Sequence, residues 1–142
     1  MKLSLIIMSF SCFFNHNFPS EDIMEVTKLV HAFSKNSDER NIDKMDNILH
    51  QNYRTIVNQA FGSDEIQLMN KTNYLDLLKR KVIGGDKRSV IILSIDMEEN
   101  NAVVKAKFTG KKLIFTTFIQ LVKDSAGKWK IISDLPIIQK AK

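Results

Sequence analysis

The sequence predicts an α+β protein in which three helices, all in the N-terminal half, are wrapped by a curved antiparallel sheet. Three observations carry that expectation. Apolar residues in the first half recur at three- and four-residue steps, as in Ile23, Val26, Val30 and Phe33, which is the stripe of an amphipathic helix. From Arg88 onward the period is two, and turn-forming runs fall at Glu98–Asn101 and Asp124–Gly127, which is the pattern of a meander. Helices segregated from an antiparallel sheet pack on one of its faces. Long β-branched strands that curl round helices leave a cone-shaped interior, a natural ligand cavity.

The elements follow in order. Ser20 is placed to cap a first helix over about 21–36, with Glu21 and Asp22 in the first turn, where the helix dipole favours negative charge. Asn36-Ser37-Asp38 should break it. Asn41 is the expected cap of a second helix with Ile42, Met45 and Leu49 on one face, ending at His50-Gln51-Asn52. Tyr53 to Ala60 is rich in β-formers. Phe61-Gly62-Ser63-Asp64 is a turn, and Glu65 to Met69 a short strand. Asn70 or Thr72 then caps a third helix with Tyr74, Leu75, Leu78 and Val82 facing in, stopped by Gly84-Gly85. In the next strand, strict alternation puts Val90, Ile92, Ser94 and Asp96 on one face and Ile91, Leu93, Ile95 and Met97 on the other. Ala102, Val104, Ala106 and Phe108 alternate with Val103, Lys105 and Lys107, the mark of a half-buried strand. Leu113 to Lys123 is a long strand, and Lys128 to Ser133 the last, ending near Pro136.

Composition narrows the function classes. The 142 residues suit one domain, expected over 19–142, and 44% hydrophobic content is enough for a core without staples. One cysteine, Cys12, excludes an internal disulfide framework and a Cys-based zinc site. The net charge is +5, and residues 72–142 carry 14 basic against 7 acidic side chains. No aromatic-interleaved basic motif accompanies them, so they read as solvated helix ends and strand lysines, and nucleic acid is not an expected partner.

Residues 1–18 stand apart as a hydrophobic leader or N-terminal arm. An apolar stretch of about twelve residues follows Lys2, too short for a membrane span of roughly 20 residues, so no integral membrane segment is expected. Three readings stay open. Residues 1–14 act as an export or lipid-anchor signal, with Ser9 and Ser11 before Cys12; translation starts later, at Met8 or Met24; or the segment stays and packs. The first places the protein outside the cytoplasm, the others inside it.

Four segments resemble the nuclear transport factor 2-like superfamily, and most closely its small bacterial members known as putative lumazine-binding or SnoaL-like proteins. They are the helix Asn41 to His50 running into Tyr53-Arg54, the helix Asn73 to Leu78, the hairpin Ile95 to Lys105, and the closing hairpin Leu121 to Ile132 with its Gly127-Lys128-Trp129-Lys130-Ile131 core. The last is the most specific. The resemblance covers roughly residues 20–135. It implies a cone-shaped, cystatin-like roll, commonly dimeric through its sheet. It says little about chemistry, because one fold hosts many functions.

The resemblance also implies a place to look for catalysis, since enzymes of the superfamily set a general base and a Tyr-type donor inside the cone. An apolar pocket raises a carboxyl pKa towards neutrality. No Asp or Glu occurs between Asn47 and Ser63, so the base position of the isomerase branch is unmatched. The remaining catalytic candidates are Tyr53, Asp96 and His31; His16 lies in the leader, and His50 reads as a helix-end residue. Asp134, at the end of the last strand, could sit at the cavity mouth, but a surface or turn role ranks ahead of that. The expected cavity walls are Phe33, Tyr53, Phe61, Phe108, Phe115, Phe118 and Trp129. No H-x-x-x-H motif, carboxylate cluster or phosphate loop is present, so neither metal nor cofactor is expected. The expected partners are a small apolar or aromatic ligand and a second copy of the chain. A binding or scaffold role ranks ahead of an isomerase or dehydratase, which would need two of Tyr53, Asp96 and His31 to converge in one pocket.

Overall fold

The computed structural model describes residues 20–142. The expectations for residues 1–18, Cys12 and His16 among them, fall outside the described residues. Three helices come first or are interleaved early: α1 (Ser20–Asp38), α2 (Ile42–Ile48) and α3 (Lys71–Lys79). Six strands complete the chain: β1 (Leu49–Asn58), β2 (Ile66–Asn70), β3 (Ser89–Glu98), β4 (Asn101–Thr109), β5 (Leu113–Lys123) and β6 (Trp129–Lys140).

The local signals explain most boundaries. The Asn41 side chain accepts from the Lys44 N–H at 3.1 Å and starts α2, and Asn70 does the same for α3 through the Asn73 N–H at 2.9 Å. α1 runs two residues beyond its expected end. Its last turn is held by tertiary bonds, with the Ser37 carbonyl accepting from Gly85 N–H and the Asp38 carboxylate from Arg88, and these outweigh the local turn preference of Asn36-Ser37-Asp38.

The strands form one curved open sheet in the order β2-β1-β6-β5-β4-β3. Every neighbouring pair is antiparallel except β1 and β6, which run parallel. The antiparallel expectation therefore holds for the meander, while the first and last strands close the sheet side by side. β6 extends past Pro136 to Lys140. A proline is tolerated there because β1 pairs with β6 only as far as Asp134, so one edge of the strand is open at that point.

The helices cover one face of this sheet. Val26, Val30 and Phe33 of α1, Met45 of α2 and Leu78 of α3 are buried against Val104, Ala106, Phe108, Ile119, Leu121 and Ile131. Burying each large side chain contributes roughly 1.5–3 kcal/mol.

Two β-bulges decide which residues face that core. In β3, Ile92 pairs with Ala106 but Ser94 with Lys105, so Leu93 is an extra residue. In β6, Ile131 pairs with Leu121 but Ser133 with Gln120, so Ile132 is extra. Because side chains alternate with period two, one inserted residue reverses the phase of everything after it. Ile95 and Met97 thus turn inward and Asp96 outward. Likewise Ser133 turns outward and Asp134 inward.

Candidate functional site

Between α1, α3, the sheet and the segment 81–88 lies a cavity of about 520 Å³, within the range of small-molecule sites. Its walls are mostly apolar: Phe33 from α1, Tyr74 from α3, Val57 from β1, Phe108 from β4 and Phe115 from β5. The rings support one another, with Phe33 stacked on Tyr74 at 6.1 Å and Tyr53 edge-on to Tyr74 at 5.4 Å between centroids.

The cavity floor is polar. Asp134 is only 6% exposed, and the Tyr53 hydroxyl donates to its Oδ1 at 2.7 Å. Thr55, also buried, sits opposite Asp134 in the β1·β6 register. Thr117 on β5 lines the same space, and among the described residues its buried hydroxyl has no hydrogen-bond partner. Burial pushes the Asp134 carboxyl above the usual carboxylate range, against the opposing effects of the Tyr53 and Thr55 hydroxyls and the Arg88 charge. Burial, then the nearby Asp134 charge, pushes the Tyr53 phenol well above its ordinary value. Tyr74 is also raised, by burial first.

The rim is cationic. Arg88 is committed to Asp38, with Nε donating to Oδ1 at 2.6 Å, and its guanidinium lies 5.5 and 5.3 Å from the ring centroids of Phe108 and Phe115. Arg40 straps the 81–88 segment, donating to the carbonyls of Ile83 at 3.1 Å and Gly84 at 2.8 Å. Asp86 accepts from the backbone N–H groups of Lys111, Lys112 and Leu113. The first of these to matter for its pKa, Lys112 N–H, holds the carboxyl below its usual range. Lys81 and Lys112 also line the opening, and among the described residues neither makes an ion pair.

The structure places the residues singled out from sequence as follows. Phe33, Phe61, Phe108 and Phe115 line the cavity, Phe61 at its mouth and 61% exposed. Tyr53 lies beneath it, bonded to Asp134. Phe118 does not line it: alternation from Phe115 and Thr117 sends it to the outer face of the sheet, with Lys105 Nζ 5.4 Å from its ring centroid. Trp129 is buried at the far end of the β5–β6 pair, where its Nε1 donates to Asp22 Oδ1 at 2.8 Å. Asp96 and His31 are exposed. The three catalytic candidates therefore do not converge, and Tyr53 meets Asp134 instead. His50 does not cap α2; its Nδ1 accepts from the Asn52 N–H inside β1. Asp134, placed by sequence at the surface or a turn ahead of the cavity mouth, is buried because the Ile132 bulge rotates it inward; its sequence signal is its position at the end of the last strand. Among the described residues, no three His, Cys, Asp or Glu side chains gather as a metal site, and no helix is long and apolar enough to cross a membrane.

A cone of this build, helices over a bulged open sheet with a pocket between, defines the nuclear transport factor 2-like class. Solved structures share it. A protein of unknown function of that class from Silicibacter pomeroyi DSS-3 superposes with a TM-score of 0.74 at 16% identity, over 86% of this chain and 99% of that one. A second, from Shewanella baltica OS155, gives 0.75 at 13% identity over 87% and 98%. A cystatin-like fold protein of unknown function from Nostoc punctiforme PCC 73102 gives 0.69 at 14% over 84% and 92%. At such identities these likenesses establish the fold alone. The chain belongs to the family described as putative lumazine-binding, which matches residues 21–135. No curated protein matches it.

Proposed function

We propose that this protein is a small-molecule-binding scaffold whose cone-shaped cavity holds a mainly apolar or aromatic ligand. The observation that carries the reading is the roughly 520 Å³ cavity with aromatic walls, which the side chains of the described residues leave unfilled. Its family's description, putative lumazine-binding, is in keeping with a ring-shaped ligand. Fluorescence titration with apolar aromatic probes tests it. Saturable one-to-one binding that is lost when Val57→Trp narrows the cavity is the expected result. Binding that ignores that variant, in a protein that still melts cooperatively, refutes it.

The same reading includes a homodimer through the outer sheet face. Ile91, Leu93, Val103, Phe118, Leu135 and Ile137 are all at least 39% exposed, and Phe118 stands opposite Leu135 across β5 and β6. Light scattering should give twice the chain mass, and Phe118→Glu should give one chain mass.

A second reading, proton-transfer catalysis of the isomerase or dehydratase type, is favoured by one observation: the Tyr53–Asp134 pair is buried at the floor of the cavity. An aspartate desolvated beneath an apolar pocket is a competent base or acid near neutral pH. The ring opening of 5-nitrobenzisoxazole needs only such a base. Turnover that disappears in Asp134→Asn supports catalysis, and turnover no faster than that variant excludes it.

A further inference from the structure

We propose that the cavity selects a flat aromatic anion that enters polar end first, with a neutral hydroxyl or N–H donor on Thr117 and Asp134 and its anionic group between Lys81 and Lys112. The proposal rests on the binding reading above and adds the ligand's chemical class and orientation.

Two independent observations carry it. The first is at the floor. Thr117 is 1% exposed and lines the cavity, and among the described residues its hydroxyl has no partner. A buried polar group without a partner is costly, and such groups in native structures mark sites that something else satisfies. Beside it, Asp134 accepts from the Tyr53 hydroxyl at Oδ1 and faces the Thr55 hydroxyl as well, and the remaining lone pairs of its two oxygens can accept from a ligand. A neutral donor suits this pair, whereas an anion would face the carboxylate.

The second observation is at the mouth. Of the four cations that line the cavity, Arg88 is paired with Asp38 and Arg40 is spent on two carbonyls. Lys81 and Lys112 have no ion-pair partner among the described residues. The one carboxylate on the rim, Asp86, is already satisfied by three backbone N–H groups. The electrostatic polarity of the cavity therefore runs from an acceptor-rich floor to a cationic opening. Steering and holding an anion at that opening follows from the unbalanced charge.

Three probes separate the parts: 6-hydroxy-2-naphthoate, which carries donor and carboxylate at opposite ends, 2-naphthol, which lacks the carboxylate, and 2-naphthoate, which lacks the hydroxyl. Titrated calorimetrically into the full chain at neutral pH, the first should bind about 3- to 10-fold more tightly than either of the others. Lys81→Gln/Lys112→Gln should abolish its advantage over 2-naphthol. Lys105→Gln/Lys107→Gln, an equal charge change on the outer sheet face, should leave that advantage intact. Thr117→Val should cut its advantage over 2-naphthoate without lowering the melting temperature. Equal affinity for all three probes overturns the inference while leaving the cavity a binding site. Loss of the carboxylate preference in the outer-face control, or its survival in the rim variant, also overturns it. If none of the three binds, the binding reading fails and the inference with it.

Discussion

Replacing Arg88 with Met tests the packing logic of the fold at its most connected charge. Arg88 joins the end of α1 to the start of β3. Its Nε donates to Asp38 Oδ1 at 2.6 Å, its backbone N–H to Oδ2 at 2.9 Å and its Nη2 to the Ser34 carbonyl at 3.1 Å. The two side chains are only 8% and 10% exposed. Methionine fills much of the same volume against Phe108 and Phe115 but leaves the Asp38 carboxylate buried without its counter-charge. Removing one partner of a buried pair costs about 3–5 kcal/mol. Spread over the about 120 described residues, that is a fall in melting temperature of roughly 10–20 °C. The assay is urea unfolding followed by the fluorescence of Trp129, the single tryptophan, checked against far-UV circular dichroism. The double variant Asp38→Asn/Arg88→Met removes both charges and keeps an acceptor for the backbone N–H of residue 88. It should recover at least half the loss, since replacing both partners of a buried pair is often near neutral. A single variant that costs under about 1 kcal/mol refutes the reasoning. So does a double variant whose loss equals the sum of the two singles.

Other expectations read separate parts of the molecule. Asp134 binds its proton more tightly in the folded chain than in the unfolded one, so its contribution to stability declines as pH rises from about 4 through its raised folded value; Asp134→Asn should gain on the wild type between pH 4 and 8 in thermal melts, and a pH-independent difference contradicts this. Asp22 has the opposite sign: its bonds from Lys123 and then Trp129 hold it below the usual carboxylate range, so the stability that Asp22→Asn forfeits at neutral pH should vanish as pH falls below about 4. Tyr53→Phe strips Asp134 of its phenolic donor and should cost about 1–3 kcal/mol in urea unfolding, with an unchanged midpoint counting against a formed bond. Gly84→Ala should cost about 2 kcal/mol or more, because Gly84 has φ +72 and an added Cβ would fall on the Ser37 carbonyl oxygen. Gly62→Ala, at φ +86 with nothing within 4 Å, should cost only about 1 kcal/mol, and equal losses would refute the clash.

The fold was legible because its signals are local. Asn41 and Asn70 cap their helices through bonds three residues away, and the α1 stripe is a property of spacing alone. The meander is likewise written in alternation, as β4 shows with Ala102, Val104, Ala106 and Phe108 all buried. What lay hidden depended on partners remote in sequence. The α1 end is fixed by residues some fifty positions away, and the parallel pairing of β1 with β6 joins the first and last strands.

The candidate site shows why alternation locates walls and misplaces floors. A strict period of two from Trp129 predicts Ile131 and Ser133 inside and Asp134 outside. The first holds, and the bulge at Ile132 then reverses the rest. The same arithmetic from Val90 places Asp96 inside until the bulge at Leu93 sends it out. One inserted residue thus exchanges a carboxylate for an apolar side chain at the core face in β3, and delivers a carboxylate to it in β6. Neither bulge carries a glycine or another local mark in the sequence, since Leu93 and Ile132 are ordinary strand residues. The chemistry of this cavity is therefore a property of register, set by how two neighbouring strands pair. The convergence of Tyr53 with Asp134, 81 positions apart, comes from that pairing, which a motif of fixed spacing has no means to record.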